Sequence, residues 1–152
     1  MKVLIDTNII IDILEQRKPY FHDSYRVIQL GLNGGLGTIM SAGAVTDVYY
    51  IIKQSLHDTQ KAKEKIYVLA SLVAICHTTS NDIKAALALS IGDFENAVVS
   101  AIAKREKADF IITKNEKDFS QSPVPAINPR QFLRNFKGAA VPFTSQRPVF
   151  SK

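Results

Sequence analysis

Lys2-Val3-Leu4-Ile5-Asp6-Thr7-Asn8 is the stretch that decides the fold. Val3–Ile5 is a short apolar run of buried-strand type, and it breaks at once into an acid, a hydroxyl and an amide. A helical pattern follows directly over Asn8–Glu15, with apolar residues at Ile9, Ile10, Ile13 and Leu14. The same alternation continues down the chain. Ser24–Leu32 reads as a helix closed by Asn33-Gly34-Gly35, and Thr38–Met40 as a brief strand. Ser41 caps a helix to about Leu56, and Thr59–Leu72 reads as another, with Lys61, Lys63 and Lys65 outside and Ile66, Leu69 and Ala70 inside. Val73–His77 is expected as a strand, Asn81–Leu89 as a short helix capped by Ser80, and a helix capped by Asp93 runs to about Lys107. Phe110–Thr113 and Val124–Ile127 read as strands, and Asn128-Pro129 opens a last helix to Phe136. Strands alternating with helices predict an α/β layer architecture around a mostly parallel sheet.

In such sheets the working crevice lies beyond the carboxyl ends of the strands. Asp6 directly follows the first strand, and Asn115 lies just past Phe110–Thr113. Asp6 also suits a plain helix cap. Asp47 has helical neighbours Gly43, Ala44, Tyr50 and Ile51, an apolar face on which a carboxylate is costly unless paired, hydrogen-bonded or bound to a cation. The other reading puts Asp47 on the solvent edge. Asn96 shares a face with Val99, Ser100 and Ala103, and Asp93 sits three residues earlier, where a capping role alone would account for it. Glu95 points elsewhere and reads as solvated. Asp118 reads as a surface turn acid. The joint placement of these acids and amides suits a hard cation such as Mg²⁺, which prefers oxygen ligands and keeps several waters. Such an ion can activate water for in-line attack on phosphorus. His22, His57 and His77 form no zinc-type spacing with Cys76.

The 152 residues fit one domain, with 46% apolar and 22% charged residues. The single cysteine cannot make an internal disulfide, so a reducing cytoplasm is the expected compartment, and Cys76 reads as an inert core residue. No apolar run reaches the roughly 18 residues of a membrane span, and the start of the chain is a strand rather than a signal peptide. The net charge of +5 favours a polyanionic partner weakly. The excess concentrates after Phe136, where Lys137, Arg147 and Lys152 meet no acid. Residues 1–136 are therefore expected as the domain and 137–152 as a basic tail.

Val-Leu-Ile-Asp-Thr-Asn at 3–8, Asp47 within Ser41–Lys53, Asp93-Phe-Glu-Asn-Ala97 and Ile111-Ile-Thr-Lys-Asn-Glu-Lys-Asp-Phe119 together resemble the four motifs of the PIN domain. Pro129–Leu133 is similar to that family's closing helix. The resemblance covers residues 2–136. It implies a three-layer α/β/α sandwich, Mg²⁺ or Mn²⁺ held by Asp6, Asp47, Asp93, Asn96 and Asn115, and RNA cleavage, with Thr7, Asn8 and Thr113 orienting substrate. It also implies a VapC-type toxin that forms a homodimer and is blocked by a small antitoxin protein. The family's third acid usually stands where this chain has Asn96. That loss keeps a second reading open, a PIN fold that holds RNA or a partner and cleaves it weakly or not at all. A phosphoryl-acceptor role for Asp6, as in haloacid-dehalogenase-like phosphatases, would require a second Asp where Asn8 stands.

Overall fold

The computed structural model describes residues 1–136. Five strands, β1 (Lys2–Ile5), β2 (Gly37–Ser41), β3 (Ala74–Cys76), β4 (Phe110–Ile112) and β5 (Ala126–Ile127), pair in the order β3-β2-β1-β4-β5, every pairing parallel. Side chains alternate across a pleated sheet, and here both faces are covered, as parallel sheets require. Val3, Ile5, Met40 and Ile112 point into one core with α1 (Thr7–Leu14), α2 (Phe21–Leu32), α3 (Ala42–Leu56), α4 (Thr59–Leu72) and α7 (Pro129–Asn135). Leu4, Ile39 and Ile111 point into the other, against Val99, Ile102 and Ala103 of α6 (Phe94–Arg105). Helix α5 (Ser80–Leu87) packs on α6 through Ala86, Ala97 and Ala101. The result is the expected three-layer α/β/α sandwich.

Central strand β1 is enclosed by β2 and β4, so its carboxyl end opens in the middle of the molecule. The chain leaves β1 at Asp6, whose backbone N–H still donates to Ile112 O at 3.0 Å. The same residue caps α1, so strand end and helix start meet at one acid. Ser41, Asp58, Asp93 and Asn128 likewise accept from backbone N–H groups at the starts of α3, α4, α6 and α7.

Several boundaries differ from the sequence reading. Helix α2 begins at Phe21, and Ser24 is a buried interior residue. Thr79, not Ser80, caps α5, because Thr79 and Asp82 form a reciprocal capping box that Ser80 is placed one residue too late to make. The third strand shortens to Ala74–Cys76 and the fifth to Ala126–Ile127, since each is an edge with a single neighbour. Edge position also leaves Ala74 and Ile75 exposed and Cys76 only half-buried, so Cys76 is not a core residue. Ala70 is exposed, because the buried stripe of α4 runs through Ala62 and Leu69. No helix of the described residues is long and apolar enough to cross a membrane. The expected tail, 137–152, lies outside the described residues.

Candidate active site

Asp6 is buried at the carboxyl end of β1, with 7% of its surface exposed. Its Oδ1 accepts from the Thr7 backbone N–H at 2.8 Å. Its Oδ2 accepts from the Thr113 hydroxyl at 2.8 Å and from Asn8 Nδ2 at 3.2 Å. Thr113 immediately follows β4 and is wholly buried, and its oxygen also accepts from Asn8 Nδ2 at 3.2 Å and from the Asn115 N–H at 3.1 Å. Asn8 Oδ1 accepts from the Lys114 N–H at 3.3 Å. Thr113 and Asn8 therefore position the Asp6 carboxylate, and Thr113 has no surface with which to touch a substrate. Burial pushes the Asp6 pKa up against the opposing bonds from Thr113 and Thr7, and the nearby Asp118 and Asp93 charges push the same way.

Three elements bring the other acids to this point. Helix α3, capped by Ser41 at the end of β2, carries Asp47. Helix α6, capped by Asp93 through an Oδ1 contact with the Asn96 N–H at 2.9 Å, carries Glu95 in its first turn. The turn after β4, a 3-10 turn over Glu116–Phe119, carries Asn115 at its start and Asp118. Asp47 does not sit on a buried face. It is exposed together with Gly43, Tyr50 and Ile51, because the buried stripe of α3 is Ala44, Val48 and Ile52. Asn96 does share its face with buried Val99, Ser100 and Ala103, and is itself half-buried.

Glu95 is the residue that sequence reasoning missed. Glu95 is exposed, as read, but partial desolvation together with the Asp47, Asp6 and Asp93 charges pushes its pKa up. Helical spacing gives the direction of its Cβ, but not where a long side chain carries its carboxyl group. Asp118, read as a surface acid, is exposed and yet acts on Asp6 electrostatically ahead of Asp93. Asp93, Asp118 and Lys117 also line a cleft of about 260 Å³ between the start of α6 and the 3-10 turn.

Among the described residues no three His, Cys, Asp or Glu side chains stand close enough to enclose a metal ion. The donor set still suits Mg²⁺, which is commonly held by one or two carboxylates with waters and substrate phosphates completing its shell. A buried carboxylate whose pKa is raised by desolvation and by neighbouring acid charges is an arrangement that a divalent cation would relieve. On the flank, Lys114 Nζ pairs with buried Asp12 of α1 at 2.7 Å and lies 4.1 Å from the centroid of the Tyr20 ring. This ties the end of β4 to α1 beside Asp6.

A parallel sheet sandwiched between helices, with acids from β1, α3 and α6 gathered at its carboxyl end, defines a class. The chain belongs to the PIN domain family, whose model matches residues 2–117. Among individual relatives, it is 25% identical over 140 residues to Ribonuclease VapC1 of Aquifex aeolicus, spanning 89% of this chain and 95% of the relative. The fold is shared with VapBC2 from Rickettsia felis bound to a DNA fragment from its promoter (TM-score 0.69, 17% identity, 84% of this chain and 98% of that one). It is shared also with a toxin–antitoxin complex from Klebsiella pneumoniae (TM-score 0.61, 21% identity, 84% of this chain and 97% of that one).

Proposed function

We propose that this protein is a divalent-metal-dependent endoribonuclease of the cytoplasm, and the toxin half of a toxin–antitoxin pair. The observation that carries the reading is the Asp6 carboxylate, buried at the carboxyl end of the central strand and electrostatically coupled to acids from α6 and the turn after β4. Asp6 and Asp47 are the main donors for Mg²⁺ or Mn²⁺, with Asp93, Asn96 and Asn115 around the rim. When bound, the cation supplies Lewis-acid activation of water and offsets charge on the leaving oxygen. The chain's own residues do the rest. Thr7, Asn8 and Thr113 fix both Asp6 oxygens, so that one carboxylate orientation is presented to the crevice. Lys117, beside Asp93 and Asp118 in the cleft, adds positive charge that suits an RNA backbone.

Relatives and structural neighbours named as VapC and VapBC support a small antitoxin protein as partner, and the family resemblance implies a homodimer as the assembly. Exposed Tyr50 on α3 and Tyr67 on α4, lining one open groove, suit a protein partner. Asn96 favours a second reading, a PIN fold that holds RNA without efficient cleavage. One assay separates the two. With Mg²⁺ or Mn²⁺ the wild-type protein should cleave RNA, EDTA should stop it, and Asp6→Asn should lose at least about 10²-fold in rate while keeping its circular dichroism spectrum. Full activity in Asp6→Asn or in excess EDTA contradicts the metal mechanism, and wild-type binding without cleavage supports the second reading.

A further inference from the structure

We propose that the pocket between the start of α2, the turn after β4 and the start of α7 receives one unpaired base of the RNA beside the cut phosphate, with Tyr20 as its stacking platform and Glu116 as the acceptor that reads its edge; this rests on the ribonuclease reading above. The cavity measures about 360 Å³, and Tyr20, Asp23, Lys114, Glu116, Asn128 and Arg130 stand around it. That volume lies within the roughly 300–1,000 Å³ of small-molecule sites. Three ties hold its walls together. Asn128 Nδ2 donates to Glu116 Oε1 at 2.8 Å, joining the start of α7 to the turn after β4. Arg130 Nε donates to Asp23 Oδ2 at 3.1 Å, joining α7 to α2. Lys114 Nζ pairs with buried Asp12 at 2.7 Å and lies 4.1 Å from the ring centroid of Tyr20, the residue that precedes α2. The pocket is thus formed before any ligand arrives. It also adjoins the candidate active site. The Lys114 N–H donates to Asn8 Oδ1 at 3.3 Å, and Asn8 Nδ2 donates to Asp6 Oδ2 at 3.2 Å. An RNA strand with a phosphate at Asp6 therefore brings a neighbouring nucleotide to this opening. The chemistry selects a base over a phosphate. Lys114 and Arg130 are matched by Asp23 and Glu116, so the lining carries no net charge to draw an anion. Tyr20 is half-exposed, and unpaired bases stack on aromatic side chains placed in this way. An ionised carboxylate can only accept, so Glu116 requires an edge that donates. Guanine offers its N1–H and 2-amino group side by side and fits that requirement best.

The test joins RNA affinity to cleavage pattern in the full-length chain. The Asp6→Asn protein, non-cleaving on that reading, is titrated with a fluorescent single-stranded RNA that contains guanine. Adding Tyr20→Ala should weaken binding by roughly tenfold, the scale of one lost base–aromatic stack, and adding Tyr20→Phe should keep it. If Tyr20→Ala proves unstable, Tyr20→Leu keeps the bulk without the flat ring and should show the same loss. In the cleaving protein these ring-removing substitutions should raise KM by a similar factor and leave kcat nearly unchanged. Sequenced ends of a randomised RNA cut by the wild type should show guanine favoured at one position beside the cut. Glu116→Gln should reduce that preference by roughly tenfold. Glu64→Gln, at an exposed acid of α4, should change neither affinity nor preference. Unchanged affinity and KM in Tyr20→Ala, beside a wild type that cleaves RNA, would overturn this inference alone. An equal loss in Tyr20→Phe would refute the stacking role. A wild type without base preference beside the cut, or a preference that Glu116→Gln leaves intact, would refute the reading of the edge by Glu116. A wild type that neither binds nor cleaves RNA would overturn the ribonuclease reading and this inference together.

Discussion

Thr113 shows how much one hydroxyl does at this site. It donates to Asp6 Oδ2 and accepts from Asn8 and from the Asn115 N–H, all without access to water. Thr113→Val keeps the shape and removes the oxygen, leaving those donors and the acid underserved. A buried polar group left unpaired costs about 1–3 kcal/mol. Thr113→Val should therefore lower stability by that amount in urea unfolding and reduce cleavage, while Thr113→Ser should restore most of both. Equal stability in the two variants would mean that the network does not hold Asp6. At this scale the sequence was readable where a residue's place follows from a strand end: Asp6 needed only the end of β1, whereas Thr113, expected with Asn8 to orient substrate, is wholly buried and bonds Asp6 instead. It was not readable at Glu95, whose nearness to the Asp47, Asp6 and Asp93 charges depends on how separate elements close together. Asp47 was misplaced for a related reason. Tyr50 and Ile51 look like core residues in sequence but are surface residues, 61% and 38% exposed, and only the Ala44-Val48-Ile52 stripe reveals the buried face.

Helices α5 and α6 are joined by a pair that local patterns do not show. Asp82 is buried, closes the capping box with Thr79, and accepts from Arg105 Nε at 2.8 Å and Nη2 at 3.1 Å. Arg105 also reaches the His77 carbonyl at 2.7 Å, so one guanidinium ties α6 to the start of α5 and to the end of β3. Burial works to raise the Asp82 pKa, but the Arg105 and Thr79 hydrogen bonds and the Arg105 charge outweigh it and hold the carboxyl below its ordinary range. A depressed folded pKa contributes stability above the unfolded value near 3.8, and that contribution is lost as pH falls through the folded one. Asp82→Asn should cost about 2 kcal/mol at neutral pH, less than the 3–5 kcal/mol of a fully buried pair because a third of Arg105 stays in water. The deficit relative to wild type should shrink as the pH is lowered below 4. A deficit independent of pH would locate the effect in packing instead. The helices themselves were legible from their periodicity and caps. The edge strands were legible in position but not in length, because each has a single neighbour to extend it, and the pairing of residues 82 and 105 depends on how α5 folds back.

Across the whole molecule, one arrangement gathers the chemistry. The order β3-β2-β1-β4-β5 places β1 at the centre, so Asp6 emerges beside the turn after β4, between α3 from one layer and α6 from the other. Sheet class and layers could be anticipated from alternation alone, since each strand is short, apolar and followed by a helix. The convergence of Asp47 and Glu95 could not, because it is a product of how the two helix layers close over one strand end. The central claim is that these elements form a single cation site. It is tested most directly by anomalous diffraction from crystals of the full-length protein soaked in Mn²⁺. One strong peak within coordination distance of Asp6 and Asp47 is the predicted result. A fully ordered site with no peak there, or a peak held by other residues in a protein that cleaves RNA, would contradict it.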